Sequence, residues 1–226
     1  MKKVIICACS SRDFIDKRQV AKLAFNLEKS GADVTVVPDL CRLFEQNDER
    51  LKQLEGNVIV ACQERAVNAM LDWRGIKAEN VLNLRKGNAE AVLSQMGIIA
   101  CVDSCKDLEE MPREEGTDAW FPVIDRNRCV NCGKCHDFCL FGNYVLDCEK
   151  KVRVENPSHC KNNCPACARM CPQQAIIFPK YTYSPINGGL EIEEEVTADM
   201  KEFYQAKLRE RIMARRAGIA LRKPKN

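Results

Sequence analysis

Two runs of four cysteines constrain the fold of this chain more than any other feature. The first run is Cys129-x-x-Cys132-x-x-Cys135-x-x-x-Cys139, and the second is Cys160-x-x-x-Cys164-x-x-Cys167-x-x-x-Cys171, with a proline directly after it. Gaps this short curl the backbone, so three thiolates on one loop can reach three irons of a cubic iron–sulfur cluster. The fourth iron faces away from the loop and needs a thiolate from elsewhere.

These runs resemble the C-x2-C-x2-C-x3-C-P pattern of bacterial two-cluster ferredoxins, in which the fourth cysteine of each run ligates the other cluster. The resemblance implies two [4Fe-4S] clusters in a small α+β domain with pseudo-twofold symmetry, over residues about 121–180. The predicted ligands are Cys129, Cys132, Cys135 and Cys171 for the first cluster, and Cys160, Cys164, Cys167 and Cys139 for the second.

The pattern departs from the ferredoxin one in two places. Leu140 stands where a proline usually follows the first run, and the second run opens with three intervening residues instead of two. We expect the extra residue, which is one of 161–163, to bulge outward and leave Cys160 as a ligand. A structural zinc site is the competing interpretation, but zinc takes four ligands, usually as two separated pairs. It does not explain two runs of four cysteines.

Composition places the chain in a reducing compartment. Its 226 residues suffice for one or two domains, and they include 15 cysteines. Met1 and two lysines lead straight into the apolar stretch that begins at Val4, without the long apolar region of a secretory signal. We therefore expect a cytoplasmic protein that uses its cysteines for metal or redox chemistry. No apolar run approaches the ~20 residues of a membrane helix, so we expect no membrane insertion.

Charge is distributed unevenly along the chain. Residues 121–180 carry nine basic and five acidic side chains. An oxidised cluster with four thiolates has a charge of about −2, so this basic excess offsets two clusters. Aromatic residues are few and are not interleaved with the basic ones as in single-strand binders. Nucleic acid is therefore not an expected partner.

Residues 1–97 predict an α/β domain with a mostly parallel sheet, because apolar β-branched runs alternate with amphipathic helical segments. The predicted strands are Val4–Cys7, Val34–Val37, Val58–Ala61 and Val81–Leu84. The predicted helices are 18–28, 41–54, 64–71 and one that Asn88 caps. The G-x-G-x-x-G and P-loop fingerprints are missing, which argues against a dinucleotide-binding domain. A flavin held without a motif stays open.

Four further cysteines follow the predicted strands. Cys7 and Cys9 follow the first strand, Cys41 comes shortly after the second, and Cys62 ends the third. The carboxyl ends of parallel strands meet at one edge, where open α/β folds build their sites. These cysteines predict a third site for an iron–sulfur cluster or zinc. A redox-active thiol pair and buried thiols without a metal remain alternatives.

The same residues carry a second resemblance. Cys7-Ala-Cys9, Leu40-Cys41 and the segment from Ala61 to Arg65 resemble the N-terminal domain of the heterodisulfide reductase A subunit over about 75 residues. The resemblance implies an extra iron–sulfur centre at the sheet edge. The flavin-binding portion of that family is absent from this chain.

The remaining segments give weaker signals. Residues 98–107 predict a last strand with buried thiols at Cys101 and Cys105, or further ligands for the sheet edge, and 109–118 predict a charged linker within the segment 98–120. Residues 181–226 predict an irregular arm and an amphipathic C-terminal helix over about 197–217. His136 and His159 adjoin ligand cysteines and could tune a cluster, or simply be polar loop residues, whereas Cys148 has no place in the ligand scheme.

Three functions fit these features. The first is a carrier that relays single electrons between redox protein partners. The second is a wiring subunit of a larger, heterodisulfide-reductase-like oxidoreductase, in which a flavoprotein or metalloenzyme partner holds the active site. The third is a redox or iron sensor. No nucleophile or proton-transfer group is evident beside the cysteine runs, so an electron carrier or a non-catalytic redox subunit is favoured over an independent enzyme.

Overall fold

A four-stranded parallel sheet forms the N-terminal part of the protein, as predicted. The computed structural model describes residues 3–100, 112 and 118–190. The strands lie in the order β2-β1-β3-β4, and every neighbouring pair is parallel. They are β1 (Lys3–Cys7), β2 (Asp33–Val37), β3 (Val58–Ala61) and β4 (Asn80–Asn83). The central strands β1 and β3 are buried because helices cover the sheet, which explains their almost uninterrupted apolar sequences.

Four helices connect and cover these strands. They are α1 (Lys17–Lys29), α2 (Leu40–Gln46), α3 (Glu64–Arg74) and α4 (Ala89–Gln95). Helix α1 begins at Asp16, whose carboxylate accepts a hydrogen bond from the Arg18 backbone N–H at 2.8 Å. Asn88 caps α4 in the same way, as predicted, by accepting from the Ala91 N–H at 2.8 Å.

The single helix predicted over 41–54 is wrong. Helix α2 ends at Gln46, and Asn47 adopts a left-handed conformation with φ 52°. A separate 310-helix, Glu49–Leu54, follows. Asn47 tolerates this conformation better than most residues, and the Asp48 carboxylate caps the new helix by accepting from the Arg50 N–H. Two capping residues in succession therefore break the helix.

The C-terminal part contains two small antiparallel sheets, which pair β5 (Val123–Ile124) with β8 (Ile176–Ile177) and β6 (Tyr144–Leu146) with β7 (Val152–Val154). Each cysteine run passes through one short helix. These helices are α5 (Lys134–Phe138) and α6 (Ala166–Met170). Along the chain, each half therefore reads strand, cysteine loop, helix and strand.

The two parts of the chain pack closely against each other. Arg65 on α3 forms a buried ion pair with Asp125 at 2.6 Å. Its guanidinium also donates to the backbone carbonyls of Gln174 and Pro185. Trp73, also on α3, donates its indole N–H to the Val154 carbonyl at 3.1 Å. Helix α3 therefore connects the parallel sheet to both small sheets.

Residues 98–100 form no strand, and the rest of the segment 98–107 lies outside the described residues, as do Cys101 and Cys105. The predicted linker at 109–118 is described only at positions 112 and 118, and the predicted C-terminal helix is not described. Among the described helices, none is both long enough and apolar enough to cross a bilayer.

The arm predicted after residue 180 is irregular and returns to helix α3. Asn187 is fully buried and accepts from the Gly189 N–H at 2.8 Å. Gly188 has φ +94°, and a Cβ atom there would lie 2.7 Å from the Ala66 Cβ. The arm can approach the start of α3 this closely only because residue 188 has no side chain.

We expect Gly188→Ala to destabilise the protein by about 2–4 kcal/mol. Overpacking against Ala66 contributes about 1–3 kcal/mol, and the left-handed φ adds about 1 kcal/mol. Gly97→Ala is the matched control, because Gly97 has φ +73° but nothing within 4 Å of the added Cβ. Anaerobic urea unfolding of both variants measures the difference. Equal losses would show that the contact with Ala66 does not matter.

Candidate metal centres

The structure brings Cys171 to the loop of the first cysteine run. Cys129, Cys132, Cys135 and Cys171 line one small pocket. Asn131 and Gly133 both have positive φ (53° and 74°) and turn the loop tightly between its cysteines. Residue 171 ends helix α6, and the short pairing of β5 with β8 holds that end of the chain beside the loop. The first group of cysteines therefore combines three residues of one run with the last residue of the other.

Cys139 lies with the second run. The pKa of the Cys160 thiol is raised to about 12, first by burial and then by the neighbouring Cys167, Cys164 and Cys139. Burial likewise raises the pKa of Cys167 to about 12, and Cys139 again contributes to the increase. Thiols that interact in this way are close in space. The second group thus pairs Cys160, Cys164 and Cys167 with the last cysteine of the first run.

The additional residue in the second run is accommodated outward. Residues 161–163 are exposed, and Asn163 has φ 59°. The Asn163 side chain accepts a hydrogen bond from Arg12 at 2.8 Å. Cys160 and Cys164 remain partly buried, so the longer gap does not remove Cys160 from its group. The expectation of an outward bulge at this position is confirmed.

Side-chain donors surround the second group. The Tyr144 hydroxyl donates to the Cys167 Sγ at 3.1 Å, and Asn143 Nδ2 donates to the Cys139 Sγ at 3.2 Å. The buried Trp120 N–H makes no regular hydrogen bond to a described residue. It nevertheless lies near enough to Cys160 to oppose the burial that raises the pKa of that thiol. Thiolates bound to iron accept hydrogen bonds through their sulfur atoms, so these donors fit a group of iron ligands.

Cys139 has the strongest set of donors. Burial alone would raise its pKa, but the Asn143 side chain and the backbone N–H groups of Phe141, Gly142 and Asn143 lower it overall. Iron binds the deprotonated form of a cysteine, so this environment favours the ligand state. The loop after the first run therefore prepares Cys139 as a ligand for the second group.

The first group has backbone donors. Burial raises the pKa of Cys135 to about 11, while the backbone N–H of His136 opposes this rise. The Ala175 N–H donates to the Cys171 Sγ at 3.3 Å. Both donors belong to the backbone, so the fold fixes their positions. The first group therefore fits a cluster whose sulfurs accept hydrogen bonds from peptide N–H groups.

Among the described residues, no three His, Cys, Asp or Glu side chains are placed as ligands of one metal ion.

The four sheet-edge cysteines come together around a lysine. Lys180 follows β8, and its ammonium reaches the carboxyl edge of the parallel sheet. Its Nζ lies 2.6 Å from Asp39 Oδ2, 2.8 Å from Ser11 Oγ and 3.6 Å from Cys9 Sγ. Lys180 is 2% exposed and Asp39 is 1% exposed, so the ion pair is fully buried.

The charge state of this cluster follows from its burial. Burial raises the pKa of Cys62 to about 11 and also raises the pKa values of Cys7 and Cys41. Burial opposes the charge of Lys180, but the neighbouring Cys41 and Cys9 sulfurs and the Asp39 carboxylate outweigh it and raise the pKa of Lys180. Lys180 is therefore an ammonium beside four buried cysteines. Sulfur is a ligand that iron and zinc prefer, but the described positions of these side chains do not surround one metal ion.

Cys9 has an unusual backbone. Its φ is +50°, a conformation that few residues other than glycine adopt. Backbone strain of this kind often occurs at functional sites because the surrounding structure enforces it. In this loop Cys9 and Cys7 are both buried at the edge of the sheet.

Several residues near these cysteines carry no sequence signal. Lys180, Asp39, Tyr144 and Trp120 belong to no recognisable motif, and only the fold brings them to the sulfurs. Asn143 could have been found, because it lies four residues after Cys139 on the same loop. The structure gives less support for cluster tuning by the two histidines than their positions in the sequence do. His136 Nδ1 lies 2.9 Å from Asp137, and His159 is exposed, as is Cys148.

Comparison with known proteins finds similar ferredoxins. The chain is 46% identical over 81 residues, which are 34% of its length, to an uncharacterized ferredoxin of Methanocaldococcus jannaschii. The chain spans only 54% of the length of that relative. A second uncharacterized ferredoxin of the same organism is 35% identical over 58 residues, which are 25% of this chain and 74% of the relative. Ferredoxin-3 of Nostoc sp. is 32% identical over 92 residues, which are 31% of this chain and 89% of the relative. No family model matches the chain.

Proposed function

Because the chain belongs to the ferredoxins, we propose that it carries two [4Fe-4S] clusters and relays single electrons between redox proteins. The observation that carries the proposal is the exchange of fourth cysteines. Cys171 lies with the loop of the first run, and Cys139 lies with the loop of the second. This exchange is the arrangement of a bacterial two-cluster ferredoxin.

The residues of the chain have distinct roles in this proposal. Eight thiolates hold the clusters, and each cluster supplies a site that accepts and releases one electron. Tyr144 and Asn143 donate to sulfurs of the second group, and the backbone donates to the Cys171 sulfur of the first. Ile124, Tyr144, Val152 and Ile176 form a small apolar core beside the ligand cysteines. A core this small implies that cluster binding supplies much of the folding free energy.

Anaerobic electron transfer tests the proposal. We would reduce the purified protein with dithionite, remove the excess and mix it with oxidised cytochrome c as a one-electron acceptor. The expected result is about two electrons delivered per chain from the two clusters, with bleaching of the visible cluster absorbance reversed as the acceptor is reduced. A protein that takes up no electrons from dithionite would contradict the proposal.

We further propose a third metal centre at Cys7, Cys9, Cys41 and Cys62. The convergence of these cysteines on Lys180 supports it, as does the left-handed backbone at Cys9. Four thiolates with a zinc ion or an oxidised cluster carry about −2, and Asp39 adds another negative charge. Lys180 offsets part of this buried charge.

Replacement of Cys41 or Cys62 by serine tests the third centre. If it holds a [4Fe-4S] cluster, the wild-type chain binds about twelve irons and each variant binds about eight. If it holds zinc, the variants lose one zinc ion and keep their iron. Iron and zinc are measured together on protein purified without oxygen. Unchanged iron and zinc in both variants would show that these cysteines bind no metal.

A role as a subunit of a larger redox enzyme is the second candidate function. The resemblance of residues 1–75 to the heterodisulfide reductase A subunit supports it. Arg65, which belongs to that resemblance, is buried against Asp125 of the ferredoxin-like part, so the two regions pack together. In this proposal the α/β domain is residues 1–97, the pseudo-symmetric ferredoxin domain is 121–180, and the predicted helix over about 197–217 is the docking element for the partner. Association with another protein in cells, measured by size exclusion of native extracts, distinguishes this role from that of a free carrier.

A further inference from the structure

The two groups of ligand cysteines differ in their hydrogen-bond donors. In the second group, two side chains donate to two sulfurs: Tyr144 to Cys167 and Asn143 to Cys139. In the first group, the described donors to sulfur are backbone N–H groups, such as that of Ala175 at 3.3 Å from Cys171. The second group also has backbone donors, so its side-chain donors are an addition.

Hydrogen bonds to sulfur affect the two redox states of a cluster unequally. A reduced cluster carries one more negative charge than an oxidised one, so donors that point at its sulfurs stabilise the reduced state more. Each donor therefore raises the reduction potential.

Other influences on the potentials act on both groups. Each group contains one buried cysteine, since Cys135 and Cys167 are both 8% exposed, but the first group also contains the exposed Cys132, where solvent favours reduction. Basic side chains, among them Arg126, Lys151 and Arg153, lie in the groove beside Cys129 and favour reduction of the first group. Lys151 and Arg153 are more than half exposed and are paired with Glu149 and Asp147, so solvent and salt screen their charges. Direct donors to sulfur act at contact distance and without this screening.

We infer that the cluster held by Cys160, Cys164, Cys167 and Cys139 has the higher reduction potential, and that Tyr144 and Asn143 set this order. The inference rests on the proposed two-cluster function. With this order, a reduced cluster held by the first group would pass one electron to an oxidised cluster held by the second group, so that the first would become oxidised and the second reduced. No proton or further reactant is needed. The groove beside Cys129 consequently lies on the side where electrons enter.

Redox titration of Tyr144→Phe tests the inference. The substitution removes one hydroxyl, and Tyr183→Phe is the matched control because Tyr183 is 48% exposed and packs on Tyr181. Anaerobic titrations followed by electron paramagnetic resonance give the midpoint of each cluster. We expect Tyr144→Phe to shift the higher midpoint downward and to leave the lower midpoint unchanged. Tyr183→Phe should shift neither, and iron content should equal that of the wild type in both variants.

A second variant identifies which cluster gives which midpoint. Cys171→Ala removes a ligand of the first group, so the cluster that remains should titrate at the higher midpoint and shift downward again when Tyr144→Phe is added. A remaining cluster at the lower midpoint would overturn the inference. So would a Tyr144→Phe shift in the lower midpoint, equal shifts in both, or no shift. A failure of the two-cluster proposal is distinct, because wild-type protein would then show fewer than two titrating signals.

Discussion

Cys171→Ala is expected to remove about four irons from the chain and to leave the remaining cluster intact. The loop that contains Cys129, Cys132 and Cys135 would keep three thiolates, and the fourth iron would have no ligand. Alanine is preferred to serine because a serine oxygen can still bind iron. The loss extends beyond the metal, since Cys171 also accepts a hydrogen bond from the Ala175 N–H at the start of the β8 segment. A lower thermal midpoint should accompany the lost iron.

Cys148→Ala is the matched control for this experiment. Cys148 is exposed and is placed with neither group of ligand cysteines, so its loss should change neither iron content nor thermal midpoint. Iron and acid-labile sulfide are measured on both variants after anaerobic purification. Wild-type iron content in Cys171→Ala would contradict the shared-ligand arrangement, because residue 171 would then be dispensable to both clusters.

Lys180→Met is expected to destabilise the protein by about 3–5 kcal/mol. The substitution keeps the length of the side chain but leaves the Asp39 carboxylate buried at 1% exposure without its cation. Removal of one partner of a buried pair costs this much because the remaining charge loses its compensation. Ser11 would also lose its hydrogen bond from the Lys180 ammonium, which is 2.8 Å long.

The double variant Lys180→Met with Asp39→Asn separates charge from packing. An asparagine at position 39 keeps an oxygen for the Arg42 N–H at the start of α2 but carries no charge. We therefore expect the double variant to recover more than half of the stability that Lys180→Met loses. Anaerobic urea midpoints of the wild type, both single variants and the double variant provide the cycle. A double variant as unstable as Lys180→Met alone would mean that packing, and not the buried charge, accounts for the loss.

Much of the fold was predictable from the sequence because its signals are local. The parallel sheet follows from short β-branched runs that alternate with amphipathic helices, and Asn88 identified the start of α4. The predicted helix over 41–54 failed for a local reason as well. The segment 41–54 is polar but helical in character, and the backbone preferences of Asn47 and Asp48 interrupt the helix, so here capping outweighs helical propensity.

For the sites, the sequence predicts the ligand cysteines but not the residues that surround them. Cysteine spacing and the topology of a parallel sheet predict which sulfurs share a site. The residues that surround the sulfurs were beyond such reasoning. Lys180 is 141 positions from Asp39, and Trp120 is 40 positions from Cys160, so only the packed structure brings them together. Single donors and buried charges at long sequence separation have no periodicity and no motif to reveal them.

Iron and acid-labile sulfide, counted on the wild-type chain purified without oxygen, test the central claim most directly. Two cubic clusters predict at least about eight irons and eight sulfides per chain, and a third would bring both to about twelve. The protein should also be brown and should bleach on reduction. A colourless protein that contains zinc, or no metal at all, at its two cysteine runs would contradict the claim.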